Sequence, residues 1–114
     1  MKKIVTSLII SLVLLAQCSV LLAAPVNWTG AWETDWNRMK LVQTGDTVKG
    51  TYDYNEGRIE AKVVGKKLIG RWVQSNSQGE MVFEMNAAGN AFHGQWRYDD
   101  DDAWGDWDGR RIAQ

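Results

Sequence analysis

The run Met39-Lys40-Leu41-Val42-Gln43-Thr44-Gly45-Asp46-Thr47-Val48-Lys49-Gly50-Thr51-Tyr52 decides the fold. Successive side chains of an extended chain point to opposite faces. Val48, Gly50 and Tyr52 therefore share one face, and Lys49 and Thr51 take the other. Gly45-Asp46 puts glycine first, the order that a two-residue type II′ hairpin turn requires. With that turn Leu41 faces Gly50 and Met39 faces Tyr52, so apolar meets apolar. A slip of one residue would send every side chain to the wrong face. The stretch predicts a β-hairpin with one dry face and one wet face.

Gly50-Thr51-Tyr52 is also one of four glycine-x-aromatic triplets, with Gly30-Ala31-Trp32, Gly70-Arg71-Trp72 and Gly94-Gln95-Trp96. Their spacings of 20, 20 and 24 residues are too short for a helical repeat with loops but suit two strands and two turns. No helical periodicity is sustained beyond the apolar leader. Strands are expected at about 27–33, 38–44, 47–54, 58–64, 67–74, 80–87, 91–98 and 107–113. Gly65-Lys66 repeats the type II′ turn and sets Ala61 opposite Gly70 and Ile59 opposite Trp72. The turns near Glu56-Gly57 and Ala88-Gly89 need an even number of loop residues to keep Ile59 and Phe92 inward.

A meander of eight strands leaves two bare edges unless it closes. The expected fold class is therefore all-β, an eight-stranded antiparallel up-and-down meander closed into a small barrel. The inward set is Trp28, Trp32, Met39, Leu41, Val48, Tyr52, Ile59, Val63, Leu68, Trp72, Phe83, Met85, Phe92 and Trp96. Glycines 30, 50, 70 and 94 on the same face are expected to make room for the rings and to let the strands bend. Four inward tryptophans favour a filled interior, since a barrel of this size holds side chains or one small ligand.

The first residues read as an export signal. Met1-Lys2-Lys3 precedes a nearly uncharged stretch over positions 4–22 that ends in Leu21-Leu22-Ala23-Ala24-Pro25. Cleavage after Ala23 avoids Pro25 at the first mature position. It divides the chain into a signal peptide, 1–23, and a single barrel domain, 24–114. Leu15-Ala16-Gln17-Cys18 resembles a lipoprotein box with the wrong residue before the cysteine, so lipidation at Cys18 is the lesser alternative. The run is too short for a retained transmembrane anchor. The mature chain then has no cysteine and no disulfide chemistry, and the expected location is periplasmic or secreted. Losing Lys2 and Lys3 moves the net charge from −1 to −3, a balance that argues against nucleic acid as partner. Seven Trp and eleven Gly in the chain argue against disorder.

The opening Trp28-Thr29-Gly30-Ala31-Trp32 and the late Arg110-Arg111 resemble the calycin superfamily of lipocalin, avidin and fatty-acid-binding barrels. The family mark is glycine-x-tryptophan on the first strand and a basic residue on the last, packed across that Trp. With Gly50-Thr51-Tyr52 the pattern is nearest to avidin. The resemblance implies a binding barrel, but biotin recognition does not carry over. At the first-strand polar positions an avidin would use to reach biotin stand Thr34 and Arg38, with Trp36 between them. Asp53-Tyr54-Asn55 replaces the small polar residues expected after Gly50-Thr51-Tyr52.

Little points to catalysis. His93 is the chain's single histidine and falls on an outer face; no Ser/His/Asp or Cys/His set can be assembled. Glu33 and Asp35 read as solvated carboxylates. Asn27-Trp28-Thr29 is a glycosylation sequon by letters and ordinary strand surface by position. An enzyme is not expected. Asp99-Asp100-Asp101-Asp102-Ala103-Trp104-Gly105-Asp106-Trp107-Asp108 reads first as a solvated acidic loop, offset by Arg97, Arg110 and Arg111. Its competing reading is a weak Ca²⁺ site on Asp100, Asp102 and Asp106; no other cofactor is expected. Trp36 and Trp104 fall in loops, where they can cap the barrel, stack on sugars or anchor an interface. Candidate ligand-binding residues are Trp36, Tyr54, Gln74, Tyr98 and Trp104, around a shallow pocket at one mouth. The function expected is an exported, non-enzymatic binding module for an unknown small molecule, glycan or envelope protein. The alternative is an envelope-associated structural or inhibitor-type protein that docks through its loops and outer face.

Overall fold

The computed structural model describes residues 26–113; the expected signal peptide and Cys18 lie outside the described residues. The strands are β1 (Gly30–Thr34), β2 (Asn37–Thr44), β3 (Thr47–Tyr52), β4 (Gly57–Val64), β5 (Lys67–Val73), β6 (Gln78–Met85), β7 (Ala91–Tyr98), β8 (Gly105–Asp106) and β9 (Gly109–Ala113). Each pairs antiparallel with its neighbour from β1 to β7, and β9 joins β1 to β7, so the meander closes into an eight-stranded barrel. Among the described residues no helix is long and apolar enough to cross a membrane.

The registers are those the turns require. Leu41 faces Gly50 and Met39 faces Tyr52, and Ala61 faces Gly70 and Ile59 faces Trp72. Gly45 and Gly65 both have φ of +62°, the left-handed conformation that the first position of a type II′ turn demands. The longer connections hold even numbers of residues, as Tyr52 pairs with Gly57 and Met85 with Phe92.

Several details differ from the expected pattern, among them the sixth strand, which runs Gln78–Met85 rather than 80–87. The first strand begins at Gly30 rather than 27, because Trp28 N–H donates to Gln43 Oε1 (2.9 Å) and Gln43 N–H to Thr29 Oγ1 (2.9 Å). Side-chain bonds there replace the strand ladder. The third strand stops at Tyr52, since Asn55 and Glu56 turn left-handed at φ 48° and 56°. The eighth strand is broken into β8 and β9, with Trp107 turned into the core between them, 2% exposed. Finally, glycines 50, 70 and 94 mainly clear backbone rather than rings. A Cβ on Gly50 would overlap the Lys40 carbonyl, and one on Gly70 the Glu60 carbonyl. On Gly94 it would meet the Trp107 carbonyl, with the Phe83 ring next to it. The close approach is what lets so small a barrel coil.

The interior is filled. Trp28, Trp32, Phe83, Phe92 and Trp107 occupy it with Met39, Leu41, Val48, Leu68 and Met81. Phe83 stacks on Phe92 at 4.1 Å, and Trp107 meets Phe83 edge-on at 5.2 Å. Met81 and Trp107 join the expected inward set, while Val63 and Trp96 are only partly buried. Of the two arginines expected to cross Trp32, Arg111 does so, its Cζ 4.3 Å from the ring centroid. It donates to the carbonyls of Gly89 (3.1 Å), Thr29 (2.6 Å) and Asn27 (2.6 Å). Burial lowers its pKa from the ordinary value. Arg110 is exposed.

Candidate functional site

The meander sends its turns alternately to two ends. One end carries the two-residue turns at Gly45-Asp46 and Gly65-Lys66 together with the loop 86–90. The other carries the β1–β2 turn with Trp36, the loops 53–56 and 74–77, and the acidic loop 99–104. Long loops on a rigid scaffold are where binding residues concentrate. At this second end the barrel opens into a cavity of about 80 Å³.

Six aromatic side chains line it: Trp36, Tyr54, Trp72, Trp96, Tyr98 and Trp107. Trp96 is their hub. Its ring stands at 86° to Trp36 (5.7 Å), 87° to Trp72 (5.8 Å) and 88° to Tyr98 (5.1 Å). Trp36 also packs on Tyr54 at 4.9 Å. The sequence places Trp36 in a loop where no core needs it; the structure instead tips it over the barrel end as a partly buried cap. Its position follows from Thr34, whose Oγ1 accepts from Trp36 N–H (3.0 Å) and from Trp107 Nε1–H (3.1 Å) while donating to the Asn37 carbonyl (2.8 Å).

The rest of the wall is Asn55, Gln74, Asn76 and Ser77. Loops 53–56 and 74–77 are tied by Ser75 N–H to the Asn55 carbonyl (2.8 Å) and by a longer Asn55–Asn76 side-chain bond of 3.4 Å. Gln74 Nε2 donates to Tyr52 Oη at 2.8 Å. Burial pushes the Tyr52 phenol up to about 12, with the Gln74 bond acting in the opposite direction. No Asp, Glu, Lys, Arg or His belongs to the lining.

Trp36, Tyr54, Gln74 and Tyr98 are thus brought together by the fold, and Trp104 is not. Trp104 lies outside, 42% exposed, with the Arg97 guanidinium 5.0 Å from its ring. Trp72 and Trp96 were legible as core rings and serve as mouth rings too. Trp107 was missed, although Gly105-Asp106-Trp107 is a fifth glycine-x-aromatic triplet and announces a further inward ring.

The acidic loop disperses its charges. Asp99 accepts from Arg71 Nη2 (2.6 Å) and Gln78 Nε2 (3.2 Å), and the Arg71 bond lowers its pKa. Asp101 Oδ1 accepts from Ala103 N–H (3.0 Å), and Asp102 lies 3.9 Å from Arg97. Arg97 also holds Glu80 at 2.8 Å. Arg71 and Arg97, rather than Arg110 and Arg111, therefore stand against the loop. Among the described residues no three His, Cys, Asp or Glu side chains form a group able to hold a metal ion, so Asp100, Asp102 and Asp106 are not brought together.

The outer-face candidates are also engaged. Asp108 Oδ1 takes a bond from His93 Nδ1 at 2.5 Å, and Asp108 N–H donates to Asp35 Oδ2 at 2.9 Å. Asp35 N–H returns a bond to the Asp108 carbonyl at 3.1 Å. Asp35 is exposed, as its sequence reading as a solvated carboxylate expects, and it also pins the break in the eighth strand. Glu33 forms an exposed pair with Arg38 at 3.8 Å.

No protein-family model matches the chain, and no curated protein or solved structure matches it.

Proposed function

We propose that this chain is an exported, non-enzymatic binding module of calycin type whose ligand seats at the aromatic mouth of a filled barrel. One observation carries the reading: six rings and four small polar side chains converge on a cavity at the long-loop end, with no charged group among them. Pockets that orient small ligands combine apolar walls with placed polar groups, and here polar atoms make up the larger part of the exposed lining. The Arg111–Trp32 stack supports the calycin affiliation. The single histidine, on the outer face and committed to Asp108, supports a role without catalysis. Titrating small polar and apolar molecules against the protein while following tryptophan emission tests the reading. Saturable quenching that Tyr98→Ala weakens is expected; a flat response to every class would overturn it.

A second reading, docking on a partner through the outer face, has its own observation. The outside of β2–β5 forms an open groove of about 1070 Å³ in which Val42 and Ile69 lie among Lys49, Arg58, Lys62 and Arg71. Both aliphatic side chains are exposed, at 59% and 43%. Ile69→Asp should abolish capture of an envelope partner on this reading and leave the mouth untouched.

A further inference from the structure

The mouth's dimensions and chemistry narrow the class of ligand, given the reading that it is a binding site. Its 80 Å³ is far below the roughly 300 Å³ at which pockets begin to enclose a whole drug-sized ligand. It admits one compact head group and leaves the rest of the ligand outside. The walls are not a flat platform on which a sugar ring would lie. Trp36, Trp72 and Tyr98 each stand nearly perpendicular to Trp96. Rings set upright around a small space offer a compact guest several aromatic walls at once.

Charge selects further. An anionic head group would find no cationic side chain in the lining and would lose its hydration without compensation. A primary ammonium would carry three N–H donors into a site with no carboxylate to receive them. A quaternary ammonium is a cation with no N–H donor, so it needs no acceptor and is attracted by the negative faces of indole and phenol rings. At the rim exposed Asp35 precedes Trp36, and exposed Asp53 and Glu56 bound the loop that carries Tyr54. Arg58 stands beside Glu56 and Gln74, so carboxylates outnumber cations at this edge. Asn55 and Asn76 at the edge are placed to receive a hydroxyl or ester group attached to the cation. We infer that the mouth is an aromatic cage for a trimethylammonium head group of the choline type.

The test uses the purified protein at low salt, with tryptophan emission and calorimetry as readouts. The probes are choline, tetramethylammonium, the neutral isostere of choline in which a tert-butyl group replaces trimethylammonium, and glucose and cellobiose. Both cations should saturate in the millimolar range or below, with the tert-butyl alcohol weaker by about tenfold, the share that charge contributes to a ring–cation contact. Tyr54→Phe should keep choline binding, and Tyr54→Ala should weaken it severalfold while the chain still melts cooperatively. Equal binding of choline and its neutral isostere would overturn the cage and leave the mouth as a plain apolar site. Saturation by the sugars alone would overturn the cage and leave the mouth as a saccharide site. Absence of binding by every probe, or choline binding that Tyr54→Ala and Tyr98→Ala both leave unchanged, would overturn the cage; the mouth reading falls only if the wider titration of small molecules is flat as well.

Discussion

The two ends of this barrel are both rich in aromatic rings, yet they use their polar groups in opposite ways. At the closed end two of the three turns have two residues each, and Arg111 covers Trp32 while donating to three backbone carbonyls, one of them Gly89 in the longer third turn. Those bonds tie the last strand to the chain before β1 and to the β6–β7 loop. At the mouth three of the four connections have four residues or more, the rings edge a cavity, and several side-chain bonds stretch to 3.4 Å. Such bonds between exposed groups are weak and exchange readily with water or a ligand. The closed end spends its polar groups on the fold; the mouth keeps some in reserve. Sites built this way rest on a rigid scaffold and draw their adaptable groups from its least committed loops.

The largest effect should come where the two ends meet. Trp107 touches Tyr52 at 5.0 Å and Phe83 at 5.2 Å, lines the mouth, and bonds Thr34 through its indole N–H. Trp107→Ala should cost about 3 to 5 kcal/mol, a large share of the stability of a domain this size. Denaturant melting checks it; a loss under about 1 kcal/mol would mean that Trp107 does not couple the ends. Next comes Arg111→Leu. It leaves carbonyls of Thr29, Asn27 and Gly89 without their charged donor and uncovers Trp32. With part of that surface wet, the expected loss is about 3 kcal/mol. Ligand affinity of the molecules that remain folded should be unchanged. A variant that loses affinity in proportion to stability would erase the distinction between the ends.

That distinction also explains what could be read in the sequence. The closed end is made of local rules: glycine-first turns, alternation, and one-to-one registers such as Leu41 with Gly50. Each can be checked within a dozen residues, and each fails visibly if the register slips. Trp36, Tyr54, Gln74 and Tyr98 could be named as one mouth because an up-and-down meander sends alternate turns to the same end. The break at Trp107–Asp108 could not be seen. It depends on Asp35, far away in sequence in the turn after the neighbouring strand β1, accepting the Asp108 N–H that a continuous strand would pair elsewhere. The glycines were placed correctly and explained incompletely, because the Lys40 and Glu60 carbonyls come close only once the strands coil. Trp104 was set with the mouth because its loop belongs to that end, but Arg97 holds it outside.

A pH experiment probes the base of the mouth. The Tyr52 phenol titrates near 12 in the folded chain against 10.0 ordinarily, so folding favours its neutral form. That contribution is complete below pH 10, declines as pH rises through the interval, and is gone above the folded value. The total loss should be about 2 to 3 kcal/mol. Tyr52→Phe has no proton to release, so between pH 10 and 12 its stability should fall less steeply than that of the wild type. Parallel curves would mean that water reaches the Tyr52 phenol, beneath Gln74, freely.

The smallest effect on stability should be the most telling about function. Tyr54 is 39% exposed and its ring contact is Trp36, itself only partly buried. Removing an exposed aromatic partner costs no more than about 1 kcal/mol, so Tyr54→Ala should melt close to wild type. The same truncation takes away one wall of the cavity and exposes one edge of Trp36, so its emission should shift toward that of a wetter indole. Trp36 and Trp96 are in contact, and the shift should vanish in the Trp36→Phe background. If Tyr54→Ala instead destabilises the chain as much as Arg111→Leu does, then the mouth rings hold the barrel together just as the closed end does. They would then not be free to receive a ligand.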